Sequence, residues 1–208
     1  LEQIEYRQEN RGDDLISFLL DAELDGEPVP MPVIRGNVGL MLIAGIDTTW
    51  SSIGSALLHL ATHPEDRQRL VDEPDLIPTA IEEFLRAYSP VTMARVANND
   101  TMLGDREVKA GDRVMLTFPA ANRDPAMFDN PEEVIIDREH NRHIAFGSGI
   151  HRCAGSNLAR MEMQVAIEEF LKMIPEFELT DADAVTWAGG QVRGPRNIPV
   201  TFPTRHPL

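Results

Sequence analysis

Cysteine is nearly missing from this chain: Cys153 stands alone among 208 residues. One thiol cannot close a disulfide within the chain. With no second cysteine and no CxxC pair, the four-ligand set of a structural zinc site is not met, although His143 and His151 lie nearby. Bases are scarce as well. There are 19 Lys and Arg against 34 Asp and Glu, a net charge of −15. That balance argues against a nucleic acid partner, because such affinity rests on cations that neutralise phosphates. Long apolar runs are lacking too; the longest, Val38 to Ile46, is too short to span a bilayer. No signal or targeting segment is visible at the start. No internal repeat, low-complexity linker, or FMN, iron–sulfur or nicotinamide motif occurs. The chain opens without Met inside a helical pattern, and its residues leave open an anchor further upstream.

What remains is an ordinary globular composition, 42% hydrophobic, and enough chain for one good core or two small ones. Charge is unevenly spread. Residues 1–30 carry nine acids, from Glu2 to Glu27, against Arg7 and Arg11. Around the cysteine the sign reverses, with Arg138, Arg142, Arg152 and Arg160. These form either a local basic face able to steer an acidic partner or a set of arginines that serve structure or a cofactor.

The pattern predicts mostly helix. Residues 1–10 read as the tail of a helix. Asp13 or Asp14 caps a short one through Leu15, Phe18 and Leu19, which Gly26 and Pro28 end. Pro30 and Pro32 open a long helix to about His63, whose central run is apolar almost all round and therefore reads as buried. A short charged helix covers 65–72, and another runs from Pro78 to just before Pro90. Residues 92–118 alternate like strands, with Val114, Leu116 and Phe118 on one face. Residues 122–141 read as a long irregular loop. An amphipathic helix follows, with Leu158, Met163, Ala166, Ile167, Phe170, Leu171 and Ile174 on one face, then a broken strand region over 185–202.

Cys153 lies in Phe146-Gly147-Ser148-Gly149-Ile150-His151-Arg152-Cys153-Ala154-Gly155. A lone cysteine is most often a small buried hydrophobe. A nucleophilic one needs a histidine base, and His151 is close, but no nucleophile signature surrounds it. Three glycines in a short loop permit close approach to the backbone, and the start of the following helix favours an anionic sulfur. That spacing points to an axial thiolate for haem iron.

Two upstream constellations bear on the same chemistry. Asp47 and Thr48 follow Ala44-Gly45 inside the long helix. A mid-helix threonine can bond the carbonyl four residues back, here Ala44, and a hydroxyl beside an acid suits proton delivery; a plain polar interruption facing another helix is the alternative. Glu83 and Arg86 are spaced i, i+3, by default an exposed ion pair.

FGSGIHRCAG resembles the haem-binding signature of the cytochrome P-450 superfamily, the haem-thiolate monooxygenases. AGIDTT, from Ala44 to Thr49, resembles that family's oxygen-activation motif, and EEFLR, from Glu82 to Arg86, contains its ExxR pair as Glu83 and Arg86. The three occur in the family's order. The resemblance runs from start to end of the chain but covers only the C-terminal half of the family fold.

It implies a mainly α fold with small β-sheets, residues 1–208 being the C-terminal portion of a single haem domain without its N-terminal half. It implies haem b (iron protoporphyrin IX), with Cys153 as iron ligand, Arg95 and His151 on the propionates, and Phe146, Gly147 and Gly155 shaping the loop around the sulfur. Thr48 would hold the activated oxygen and Asp47 relay protons. Glu83, Arg86 and Arg138 would form a buried network that supports the cysteine loop. Leu40, Ile43, Ala44, Val91 and Thr92 would line a pocket for a small apolar organic substrate. The implied activity is insertion of one atom of dioxygen, with a ferredoxin or flavin-type reductase as electron donor, in a bacterial cytoplasmic protein. The missing half is then also a required partner. A truncated, non-catalytic haem-binding fragment is the alternative.

Overall fold

The structure, a computed structural model, describes residues 1–203. The chain divides into two compact units, Leu1–Asp47 and Thr48–Leu208. In the first, α1 (Glu2–Glu9) is followed by α2 (Leu15–Asp21). Asp14 begins α2 by accepting the Ser17 N–H at 2.9 Å, which supplies one of the N–H groups that a helix start leaves unpaired. A two-residue hairpin joins β1 (Glu23–Leu24) to β2 (Glu27–Pro28). Its tip, Asp25-Gly26, has positive φ at both positions, the turn geometry that matches strand twist.

Helix α3 (Met31–Thr62) runs across the division between the units. Its apolar central run predicts burial all round, and the structure corrects this for the first half. Leu40, Leu42, Ile43 and Ile46 are 62 to 74% exposed. The second half is covered: Ala56 and Leu60 are fully buried, and Ser51, Ser52 and Ser55 are buried with them. The physical reason is placement of partners. The core cluster of the second unit takes in α3 only from Ile53 onward.

In that unit, α4 (Pro64–Asp72) and α5 (Ile77–Tyr88) follow α3 closely. Ile77, Ala80, Ile81, Phe84 and Leu85 of α5 are buried, the i, i+3, i+4 stripe of a core-facing helix. They share one cluster with Leu70 of α4 and with Met163, Ile167 and Leu171 of α7 (Ser156–Met173). Each fully buried side chain of this size contributes roughly 1.5–3 kcal/mol. The buried line of α7 is narrower than its pattern suggests. Ala166, Phe170 and Ile174 are half-buried, and Leu158, in the first turn beside the cysteine loop, is exposed.

Between α5 and α7 the chain forms small antiparallel pairs. β3 (Met93–Val96) pairs with β6 (Arg113–Leu116), Arg95 opposite Val114, and β4 (Thr101–Leu103) pairs with β5 (Arg106–Val108). Val114 and Leu116 do share the half-buried face. Phe118, although half-buried too, lies outside the strand, which ends at Leu116, and Phe118-Pro119 starts α6 (Phe118–Ala121). Residues 122–141 are turns and bends, as expected. Beyond α7, β7 (Glu178–Leu179) pairs with β10 (Val200–Thr201), and β8 (Thr186–Ala188) with β9 (Gly194–Asn197). The sequence pattern did not reveal β7 or the first hairpin; two-residue strands carry too little periodicity.

Candidate functional site

The site is built on α5. Glu83 and Arg86 are both fully buried, which overturns the default expectation of an exposed i, i+3 pair. Arg86 meets Glu83 through two parallel bonds, Nε to Oε2 and Nη2 to Oε1, each 2.8 Å. Its remaining N–H groups donate to the carbonyls of Asn122, Pro131 and Glu133 at 2.7 to 2.9 Å. All five guanidinium donors therefore have partners. Glu83 also accepts from Arg138 Nε, Asn141 Nδ2 and the Ile135 N–H at 2.8 to 3.0 Å. Burial alone would raise its pKa, but the hydrogen bonds of Arg86, Ile135 and Arg138 outweigh that and hold it below the usual carboxylate value. A dry ion pair is tolerable only when satisfied this fully.

Asn122 carries the network toward the cysteine. Its Nδ2 donates to Ser89 Oγ at 2.6 Å, and its Oδ1 accepts the Ile144 N–H at 2.8 Å. The cysteine loop then closes on itself. The Gly147 N–H donates to the Ile144 carbonyl, and the Cys153 N–H to the Phe146 carbonyl, both at 2.8 Å. Gly147 and Gly149 sit at φ 70° and 65°, which glycine adopts without the penalty other residues incur. Gly149–His151 forms a 3-10 turn, and α7 starts three residues after the cysteine.

The other acid of the EEFLR segment has contacts that the sequence pattern does not announce. Glu82 receives Arg160 of α7 through two bonds, at 2.6 and 2.8 Å, and His143 Nε2 at 3.0 Å. The His143 Nδ1 accepts the Ala145 N–H at 3.2 Å, which leaves Nε2 as the protonated nitrogen that donates to Glu82. Burial works to raise the Glu82 pKa, but Arg160 and His143 bring it down to about 2. The Arg160 guanidinium also lies over the Phe146 ring, 4.6 Å from its centroid. An acid beside the ExxR glutamate, and an arginine seven residues after the cysteine, were the only sequence signals.

The four arginines that read either as a basic face or as serving structure or a cofactor thus divide. Arg138 and Arg160 are paired with carboxylates, whereas Arg142 and Arg152 are exposed. Cys153 itself is exposed, as are His151 and Gly155, while Phe146 and Gly147 are half-buried. Arg95 is half-buried in β3 and donates to the Ala94 carbonyl at 2.9 Å. Among the pocket candidates, Val91 and Thr92 are half-buried, bridged to Val192 and bonded to Gln191. Leu40 and Ile43 are exposed, as is Ala44. Asp47 and Thr48 are adjacent on α3, both half-buried. In the next turns Ser52 and Ser55 return their hydroxyls to the Thr48 and Ser51 carbonyls at 2.9 and 2.8 Å.

Comparison with known proteins decides the family. The cytochrome P-450 family profile matches residues 2–184. The chain belongs to the cytochrome P-450 family. Cytochrome P-450-terp of a Pseudomonas species is 39% identical over 191 residues, 91% of this chain and 44% of that protein. The polyketide biosynthesis cytochrome P-450 PksS of Bacillus subtilis is 40% identical over 194 residues, 91% of this chain and 48% of that protein. The solved structure of PksS superimposes with a TM-score of 0.91 at 39% identity, over 98% of this chain and 53% of that one. The steroid C26-monooxygenase of Mycolicibacterium smegmatis is 37% identical over 94% of this chain and 49% of that protein. The chain spans about half the length of the curated relatives it matches.

Cytochromes P-450 are haem-thiolate proteins that bind haem b, and the cysteine loop fits that group. Its donor is a single soft sulfur facing solvent. Among the described residues it belongs to no cluster of histidine and acid that could hold a metal ion instead. A side-chain carbon at Gly149 would meet nothing within 4 Å, and one at Gly155 would meet only the sulfur, at 3.9 Å. The backbone at these two glycines is therefore open to close approach beside the one sulfur ligand. No helix among the described residues is long and apolar enough to cross a membrane.

Proposed function

We propose that this chain is the C-terminal portion of the haem domain of a monooxygenase, with Cys153 as the thiolate that would hold the iron. The supporting observation is the pairing of an exposed, glycine-rich cysteine loop with a buried Glu83–Arg86–Arg138 network that anchors the segments leading into it. Haem, when bound, supplies the reduction of dioxygen and the insertion of one oxygen atom into the substrate. The chain's own residues do the rest. Arg95 and His151 bind propionates, arginine through its fixed fork of donors and histidine through a ring N–H. Phe146 limits water at the sulfur. The Asp47 carboxylate would take up protons from solvent, and the Thr48 hydroxyl would hold one and pass it on.

The substrate is a small apolar organic molecule held in an apolar pocket. Relatives named for steroid and polyketide chemistry support that class. Electrons come from a ferredoxin or a flavin-type reductase, and the protein works in the cytoplasm. The polypeptide corresponding to the other half of its relatives completes the pocket.

One observation favours a second reading, a haem-binding piece that does not turn over alone. Leu40, Ile43 and Ile46 are at least 62% exposed, so this apolar stretch of α3 is uncovered in this chain. Replacement Cys153→Ser, followed by reduced carbon-monoxide difference spectra of the haem-supplied protein, tests both. Loss of the red-shifted thiolate Soret band with folding retained supports the ligand assignment. An unchanged band overturns it. A thiolate band without substrate oxidation, restored by the complementing half, identifies the non-catalytic piece.

A further inference from the structure

Residue 146 has two roles that meet in one residue. Its carbonyl accepts the Cys153 N–H at 2.8 Å, and its ring lies under the Arg160 guanidinium at 4.6 Å. Arg160 is itself held on both sides. Nε and Nη2 form the forked pair with Glu82, and Nη1 reaches the Ser156 carbonyl at 3.4 Å. Glu82 is fixed in turn by His143 Nε2, whose ring sits 6.2 Å from that of Phe146. A chain of contacts thus runs from α5 through α7 and the Phe146 ring to the backbone of the ligand loop. It is separate from the Glu83–Arg86 network, although the two acids are neighbours in sequence. Arg160 is only 30% exposed by side chain and Glu82 29%, so neither is a freely solvated surface charge.

We infer that Arg160 and Glu82 are positioning residues whose pairing fixes the Phe146 ring and, through it, the seat of the Cys153 sulfur. Lysine could keep the charge at 160 but would lose the planar stack and the forked bond to Glu82. Glutamine at 82 keeps the shape and removes the charge. The inference rests on the haem reading for its meaning at the iron, but the geometry of the loop can be examined without haem.

The test is hydrogen exchange of the segment 146–155 in the haem-free full chain, for wild type, Arg160→Lys and Glu82→Gln. Both substitutions should raise exchange at the Cys153 amide about tenfold while leaving the centres of α5 and α7 protected. Unchanged exchange in 146–155 overturns the inference. A rise spread evenly through α5 and α7 does so too, since it assigns the pair to general stability. In the haem-loaded protein both variants should shift the reduction potential in the same direction, and the double variant should shift it no further than the larger single one. Segment-specific loosening in a chain that takes up no thiolate-ligated haem would leave the positioning role standing and remove the haem reading instead.

Discussion

Arg86 has no unpaired N–H and Glu83 accepts five hydrogen bonds, so neither tolerates a conservative exchange. Arg86→Lys keeps the charge and loses the fork, leaving carbonyls of residues 122, 131 and 133 short of donors. It should destabilise the fold by about 3–5 kcal/mol, the range for breaking a buried pair, read as a lowered urea midpoint. Glu82 gives a pH signature. Its folded pKa, about 2, lies below its ordinary 4.5. Its contribution is therefore complete above pH 4.5 and is lost as pH falls from there toward 2, at most about 3 kcal/mol. Glu82→Gln should flatten stability across that window. At Gly147 a side chain would enter the left-handed region and press on the His151 carbonyl at 3.4 Å. Gly147→Ala should cost about 1–2 kcal/mol, with the loss appearing as faster exchange in the cysteine loop.

At the scale of elements, close approach and burial set the sensitive places. β9 lies so near α3 that a carbon added at Gly194 would fall 2.4 Å from Ser51 Cβ. Gly194→Ala should destabilise by at least about 1–3 kcal/mol, as overpacking does, in thermal denaturation. The end of α3 holds another titrating group. Buried His59 bonds Tyr88 through Nδ1 and Asp66 through Nε2, each at 2.8 Å. Burial lowers its pKa from the ordinary 6.5 despite Asp66. The unfolded chain therefore takes up the proton first, and stability should fall as pH drops below 6.5, a slope that His59→Gln removes.

Which of these elements the sequence disclosed follows from physics. Long periodic helices, the proline boundaries and a cap at Asp13 or Asp14 are legible, because helix ends and apolar stripes are local signals; the structure selects Asp14. The cysteine loop was legible because glycine spacing is tied to backbone conformation. The Glu82–Arg160–Phe146 contacts were not, since they join residues 78 positions apart and leave no period. Phe118 was misassigned because Phe-Pro starts a helix where alternation alone would continue the strand.

For the whole molecule, the exposed first half of α3 is the main departure from an ordinary globular surface. An apolar stretch of this kind marks an interaction site or an uncovered pocket wall. In this chain alone, Leu40→Gln and Ile43→Gln should change stability by no more than about 0.5 kcal/mol. On the proposed substrate role, the same changes should weaken capture of an apolar ligand by a longer protein that contains this chain, measured as a raised dissociation constant. That contrast separates a pocket wall from a core.

The most direct test of the central claim is the reduced carbon-monoxide difference spectrum of the haem-supplied chain. The account predicts a strongly red-shifted Soret band that disappears in Cys153→Ser. A band typical of a neutral proximal ligand, or the same band in both proteins, would contradict it.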